Sequence, residues 1–517
     1  MSRSKRFVAG LFSSYAATGV NILYTLASVP LALHYLNKEE FGLWALVTQL
    51  SGYLMLLELG MGGAVARSLS DHKDHMETGM YGSILRTGGR VFVIQGIFIA
   101  IAGLILACFA PVWLDLPKHL HQSFAILMTG QAVLGGLRLS FGSLTSPLWC
   151  HQRLDLNNVS SIVSMAGGFF VLWVGFHFGW HLNSLIVATA ASSFLSTFSI
   201  YVFCRRYGFY PTRQHRGHFD GQVFRDLFKF GSGLFLMNLG NQLASASQLV
   251  VISRLMGVEA ATIWAIATKI FAMCHQFVAR IMDSAAGSLA EMMVRQEFKG
   301  MQVRFRDLVG ITAVAAVIGS SAIALCNGAF MEIWTSGRIR WSLLNNLLLA
   351  MTFFSISSTR CHLILVGVTK HIRGMKYIFL VEGGAFVLIS LILVPRLGFS
   401  GMLLATLVCN AGISGFYGII RTSSYFGVSW RRVTGWFFRP LVIMGLVTIL
   451  FLLNWFLITG DVGPAAHLLW GFSLICGVVV PASWFIGVEP CLRIEIHRLA
   501  KSVISRLFNA SYLKKLG

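Results

Sequence analysis

The sequence predicts an all-α polytopic membrane protein of about fourteen transmembrane helices, built as two pseudo-symmetric six-helix halves followed by two extra C-terminal helices. Three features predict it: a series of apolar runs of spanning length, a gapless internal match at an offset of 220 residues, and a one-sided distribution of basic residues. Hydrophobic residues make up 56% of the 517 and charged residues only 12%, with a mean hydropathy of +0.71, which excludes a water-soluble chain. Glycine is frequent (52) and proline scarce (10), as close-packed transmembrane helices require. The nine cysteines are scattered, without Cys-x-x-Cys or His/Cys ligand spacing, so neither a disulfide framework nor a metal is expected.

Taking about 20 apolar residues as enough to cross the hydrocarbon core, the first half spans at 10–34, 41–66, 91–114, 122–149, 157–179 and 182–204. The second half spans at 227–253, 259–288, 308–334, 341–367, 375–394 and 398–420, and the additions at 436–458 and 465–487. The first run follows Arg3, Lys5 and Arg6 too closely, and lacks an Ala-x-Ala end, to be a removable signal. About three quarters of the 41 basic residues fall in the tails and even-numbered connections. The odd connections hold Lys38, Lys118, Arg254, Arg338, Arg340 and Arg396. The asymmetry places both termini in the cytoplasm and accounts for the net charge of +21 without a nucleic-acid partner.

The offset aligns "EEFGLWALVTQL" (39–50) with "EAATIWAIATKI" (259–270): Glu39 with Glu259, Trp44 with Trp264, Thr48 with Thr268. It extends to Asn21 with Asn241 and Ser68-Leu69 with Ser288-Leu289, the register of a duplication. The expected organisation is 1–215 for one lobe and the inter-lobe loop, 216–421 for the second lobe, and 422–517 for the last two helices and tail. The longest internal polar connection, 205–228, joins the lobes, and "RIEIHRLAKSVISRLF" reads as a basic amphipathic helix on the inner leaflet. The outer connections are short and hold few acidic groups, which speaks against a glycosyltransferase or polymerase. No enzymatic activity is expected.

Seven charges fall inside spans: Glu58, Arg138, Lys269, Arg280, Asp283, Arg360 and Glu382. Each costs about 2.5 to 3.5 kcal/mol at a helix centre. Glu58 and Glu382 could neutralise Arg138 and Arg360, and Arg280 with Asp283 could form a local pair three residues apart. For these, structural and functional roles weigh equally. Lys269 differs: counted from Glu259 at 1.5 Å per residue it lies about 15 Å deep, where snorkelling is hardest. Its duplicate position holds Gln49. Thr262, Lys269, Gln276, Arg280 and Asp283 project within about 40° of one direction. A stripe of this kind must face a bundle interior or a water-filled cavity. Gln131, Arg138 and Thr145 repeat the pattern at intervals of seven in the fourth span. Four basic residues against three acidic make a slightly cationic lining suited to a diphosphate, with Arg as fork and Lys as point charge. His275 and His362 read as packed residues rather than proton relays.

The segment "PLALHYLNKEEFGLWALVTQLSGYLMLLELGMGGAVAR" resembles the first two helices of polysaccharide-transport or Wzx-type flippases of the multidrug/oligosaccharidyl-lipid/polysaccharide exporter superfamily. Phe41, Gly42 and Trp44 match the family's "yG-W" turn. Glu58, Leu59, Gly60 and Arg67 match its acidic-Leu-Gly segment ending in Arg, Glu58 standing where many members carry Asp. "IWAIATKI" is similar to the family's second-half equivalent. The resemblance implies two lobes around a central cavity that opens to each membrane face in turn. It also implies a polyprenyl-diphosphate-linked oligosaccharide as cargo, the bacterial inner membrane as location, and other polysaccharide-assembly proteins as partners. Lys269, Arg280 and Arg138 would then hold the diphosphate, with Arg360, Gln276 and Thr262 beside them. Glu58, Asp283 and Glu382 would balance charge or bind a coupling proton or sodium ion. No other cofactor is implied. A peptidoglycan-precursor flippase and a cation-coupled multidrug exporter are the superfamily alternatives. The first is disfavoured by an uncharged 10–33, the second by basic rather than acidic cavity candidates.

Overall fold

The computed structural model describes residues 3–151, 153–339, 341–369, 372–457, 463–490, 493, 494 and 497. Its helices in chain order begin with α1 (Arg3–Tyr35), α2 (Lys38–Leu54), α3 (Met61–His72), α4 (Met80–Trp113), α5 (His121–Ser140), α6 (Gly142–Cys150) and α7 (Leu154–His177). There follow α8 (Asn183–Arg206), α9 (Gly221–Met256), α10 (Val258–Ala267), α11 (Lys269–Val294), α12 (Phe298–Trp334) and α13 (Leu343–Val368). The last are α14 (Ile372–Leu397), α15 (Phe399–Cys409), α16 (Phe416–Phe426), α17 (Trp430–Gly435), α18 (Phe438–Leu457) and α19 (Pro464–Leu474). They divide into two compact units, Met1–Ala267 with Arg373–Cys409, and Thr268–Ile372 with Asn410–Gly517.

Among the described residues, 11 helices are long and apolar enough to cross a membrane, or up to 12 if the bent pair α5 and α6 is one span. The expected fourteen are therefore met only in part, for identifiable reasons. Helix α9 has 36 residues, far more than a span needs, but Asn238, Asn241, Gln242, Ser245 and Gln248 make it too polar. Helix α18 offers a shorter apolar segment, Phe438–Leu453. The expected amphipathic tail helix lies outside the described residues apart from Arg493, Ile494 and His497.

Within the first unit, helices meet where side chains are missing. Helix α4 runs along α5, and a Cβ on either Gly96 or Gly136 would collide with the other's carbonyl. Helix α9 meets α14 as closely: a Cβ on Gly240 would collide with the Phe379 carbonyl, and one on Gly383 with the Gly240 carbonyl. Asn37 starts α2 with a capping box: its side chain accepts the Glu40 N–H at 2.8 Å while the Glu40 carboxylate accepts the Asn37 N–H at 2.9 Å. Helices α2 and α10, which carry the two segments aligned by the 220-residue offset, pack on each other in a reciprocal way. The Thr262 hydroxyl donates to the Lys38 carbonyl at 2.5 Å, and a Cβ on Gly42 would meet the Val258 carbonyl. Since 42 and 262, and 38 and 258, are related by the 220-residue offset, each segment presents the same position to the same carbonyl of the other.

The span expected at 41–66 is broken rather than continuous. Leu59 (φ 53°) and Gly60 (φ 72°) both adopt left-handed backbone, ending a short 3-10 turn and starting α3. The freed groups are satisfied locally: the Glu58 carboxylate accepts the Gly62 N–H at 2.7 Å, and Gln95 Nε2 donates to the Glu58 carbonyl at 2.9 Å. An acidic residue, then Leu-Gly, is thus a helix break with its own cap. A Cβ on Gly60 would also press on the Gly231 carbonyl and Leu234 of α9. Gly60→Val is expected to lower stability by about 2 to 4 kcal/mol, from left-handed strain on a β-branched residue plus overpacking. Thermal melting of the detergent-solubilised protein checks this, and an unchanged melting temperature would show that the break does not depend on Gly60.

In the second unit α12 is the axis of packing. Val309, Ala313, Ala316, Val317, Ser320 and Ser321 are buried along it. Ser320 donates to the Ala350 carbonyl of α13 at 2.9 Å, and the buried Asn327 amide donates to Asn346 Oδ1 at 2.9 Å. These polar contacts satisfy groups that lipid could not. His362 is buried and shares a hydrogen bond with the Thr422 hydroxyl at 2.9 Å, as expected of a packed histidine.

Candidate functional site

The charged residues lie where helices are interrupted. Glu58 directly precedes the left-handed break at Leu59 and Gly60. Arg138 sits near the end of α5, where the chain bends by 55° into α6. Lys269 begins α11 after the single non-helical residue Thr268. Irregular backbone at membrane depth is tolerated where it is buried in protein or borders a water-filled cavity, and discontinuous helices commonly hold transporter ligands.

In the second unit, Lys269, Gln276, Arg280 and Asp283 follow one another down one face of α11 over about 21 Å. Lys269 is half-buried, and its ammonium has no hydrogen-bond or ion-pair partner among the described residues. The expected local pair of Arg280 with Asp283 is not the one formed. Arg360 of α13 donates from Nη2 to Asp283 Oδ1 at 2.7 Å, leaving Arg280 exposed with no carboxylate in ion-pair range among the described residues. A residue three positions along the same helix offers weaker geometry than a forked guanidinium reaching across from a neighbour. Arg360 is therefore paired with Asp283, and Lys269 and Arg280 on this face have no carboxylate in ion-pair range among the described residues. His275 stacks on Phe271 and meets the edge of Phe353 just outside this stripe.

In the first unit, Glu58 and Arg138 line one cavity of about 610 Å³, together with Thr145, Ser192, Ser196 and Thr197. The serines and threonines of α8 have a signal in the sequence, where they recur three and four residues apart in "TAASSFLST". Two expected site residues change role. Thr262 is fully buried, and its hydroxyl is engaged with the Lys38 carbonyl, so it is a packing residue and cannot touch a passing ligand. Glu58 is in part a helix cap, which by itself accounts for an acidic side chain at that point. Glu382 is buried, at 7% exposure, in α14.

This arrangement of interrupted, charge-bearing transmembrane helices has counterparts among solved structures. The chain superposes on an inward-facing multidrug resistance MATE family transporter of the MOP superfamily with a TM-score of 0.59, at 12% identity, covering 82% of this chain and 99% of that one. An outward-facing MATE family transporter gives 0.56 at 12% identity, covering 83% and 98%. A MOP superfamily transporter from Pyrococcus furiosus, described as having reverse polarity of its binding pocket, gives 0.55 at 12% identity, covering 81% and 96%. These likenesses establish the fold. Among curated proteins, none matches significantly. The polysaccharide biosynthesis protein family matches residues 7–286, more than half of the chain, and the chain belongs to that family. It is a multi-pass membrane protein of that family, with 11 helices among the described residues long and apolar enough to cross a membrane, and it shares its fold with MATE family transporters.

Proposed function

We propose that the protein is a flippase moving a polyprenyl-diphosphate-linked oligosaccharide from the cytoplasmic to the outer leaflet of a bacterial inner membrane. The observation that carries this reading is Lys269: a half-buried ammonium on a spanning helix, with Arg280 on the same face and no carboxylate answering either among the described residues. A half-buried cation at membrane depth without a carboxylate partner suits an anionic guest. A diphosphate is one, and family membership in polysaccharide biosynthesis supplies the glycan-lipid context. Lys269 and Arg280 hold the diphosphate, Gln276 lies between them, Arg138 contributes from its own cavity, and Arg360 acts through Asp283. We further propose that the offset of 220 residues marks two lobes, 1–215 and 216–421, with 422–517 appended and both termini cytoplasmic.

The test is leaflet exchange in proteoliposomes of a fluorescent polyprenyl-diphosphate glycan, quenched from outside. The reading requires protein-dependent exchange with the glycan chemically unchanged. A second reading, extrusion of cationic drugs, is favoured by the likeness to multidrug MATE transporters. It predicts uptake of a lipophilic cation and no lipid exchange in the same vesicles.

Energy comes from the membrane potential acting on the diphosphate, about 2.3 kcal/mol per charge per 100 mV for outward movement. Glu58, Asp283 and Glu382 are the carboxylates on which a coupling proton or sodium ion would bind, and of these Glu382 is the most deeply buried, at 7% exposure. Imposing an inside-negative potential is expected to speed exchange severalfold without any ion gradient. Acceleration by a proton or sodium gradient alone would transfer the coupling to one of these carboxylates, and Glu58→Gln, Asp283→Asn or Glu382→Gln would then remove it.

A further inference from the structure

Helix α4 changes character along a single face. Arg86 and Arg90 are followed, at spacings of three and four, by Ile94, Phe98, Ile101 and Ile105, all exposed. At the basic end, a concavity of about 1040 Å³ gathers five arginines: Arg86 and Arg90 from α4, Arg205 from α8, and Arg213 and Arg216 from the loop after it. No aspartate or glutamate lines it, and none of the five forms an ion pair among the described residues. At the apolar end, a groove of about 470 Å³ runs along Ile94, Phe98, Ile101 and Ile105, closed on its other side by Phe224 and Phe228 of α9. Ile94 lines both, so basic cup and apolar groove are continuous.

The cup is held in place by bonds that leave most of its charge free. Arg86 donates to the Gly217 carbonyl at 3.0 Å and Arg90 lies over the Phe219 ring at 5.2 Å. The Ser83 and Thr87 hydroxyls accept the His218 and Asp220 N–H groups, and Tyr210 donates to the Leu144 carbonyl at 2.7 Å. Gly82 has no side chain because the loop backbone lies against it: a Cβ there would meet the His215 carbonyl and Arg216 backbone. The side chains of Arg205, Arg213 and Arg216 make no hydrogen bond among the described residues. Ordinary enrichment of inner-face loops in basic residues explains their number but not their convergence on one pinned hollow joined to an apolar channel. From Ile94 to Ile105 the groove is about 16 Å long, close to the half-thickness of a bilayer's hydrocarbon core, about 15 Å.

We propose that this composite site binds an anionic phospholipid of the inner leaflet, its phosphate in the arginine cup and one acyl chain along α4 in the groove. Basic pockets between transmembrane helices on the cytoplasmic side suit anionic headgroups, and a forked guanidinium suits phosphate oxygens. The proposal rests on the cytoplasmic placement of the 205–220 loop and is independent of what the transporter carries.

Delipidated full-length protein in neutral detergent is titrated with phosphatidylglycerol, with phosphatidylcholine of the same chains, and with inorganic phosphate, and bound adducts are counted by native mass spectrometry. Phosphatidylglycerol is expected to bind preferentially. Each arginine removed should weaken it about fivefold, so the triple variant Arg205→Gln, Arg213→Gln, Arg216→Gln should weaken it about a hundredfold. The wild-type melting temperature of that variant, without lipid, shows that the fold is kept. Phe98→Asn should weaken the phospholipid and leave any phosphate binding unchanged. Lys269→Gln, which tests transport, should bind phosphatidylglycerol normally. Equal retention of the two phospholipids, an unaffected triple variant, or phosphate displacing phosphatidylglycerol at matched concentration would each overturn the proposal, the last in favour of a free-anion site.

Discussion

Lys269→Gln is expected to reduce glycan-lipid exchange by one to two orders of magnitude while leaving the protein in the membrane at normal or higher level. A hydrogen bond to a charged group is worth about 1.5 to 3 kcal/mol, hence about tenfold to a hundredfold if the ammonium engages the diphosphate in the rate-limiting state. Ordinary damage to a transmembrane helix would lower both function and abundance. Here the two should separate, because removing the charge also removes an insertion cost of about 2.5 to 3.5 kcal/mol. Glutamine is the natural substitute, since Gln49 stands 220 residues before Lys269, at the offset position. Lys269→Arg should keep most of the activity, because an anion needs the charge more than its shape. Full activity in the glutamine variant at matched protein level would remove Lys269 from the transport path.

The second large effect concerns Arg360 and Asp283. Each is about 38% exposed, and they are joined by a 2.7 Å hydrogen-bonded ion pair. Removing one partner leaves an uncompensated charge at membrane depth, costing up to about 3 to 5 kcal/mol for a fully buried pair and less here because both are partly open. Arg360→Gln should lower abundance and melting temperature, and adding Asp283→Asn should recover most of the loss. The recovery separates structural pairing from ligand binding: if Arg360 held the diphosphate directly, the double variant would be stable but as inactive as Lys269→Gln. Failure of the double variant to regain stability would show that the pair does not govern folding of α11 against α13.

Local sequence carried the helices and the charges but not their pairing. Apolar runs located most spans, because lipid imposes length and hydropathy directly on each segment. Helix α9 escaped that rule in the opposite sense: its polar face lowers its hydropathy although it is the length of a span. The break at Leu59 and Gly60 had a local signal in Gly60, and the bend between α5 and α6 is followed by Pro147, but nothing in "IWAIATKI" marks the interruption at Thr268. Helical periodicity put Thr262 on the stripe with Lys269. Whether a side chain on a face is covered depends on the neighbour, and here the neighbour is Lys38 at the start of α2. Asp283 and Arg360, 77 residues apart, could be paired only by the packing of α11 on α13. The arginine cup is similar, since its members come from two helices and a loop that no spacing rule connects.

The central claim is that an anionic headgroup passes beside the ammonium of Lys269. Photolysis of protein reconstituted with a polyprenyl-diphosphate glycan carrying a photoreactive group next to the diphosphate, followed by peptide sequencing, tests it directly. Label on α11 within 269–280, competed away by unlabelled glycan lipid and lost in Lys269→Gln, is the result expected. Competable label confined to other helices, with α11 unmarked in the wild-type protein, would contradict it.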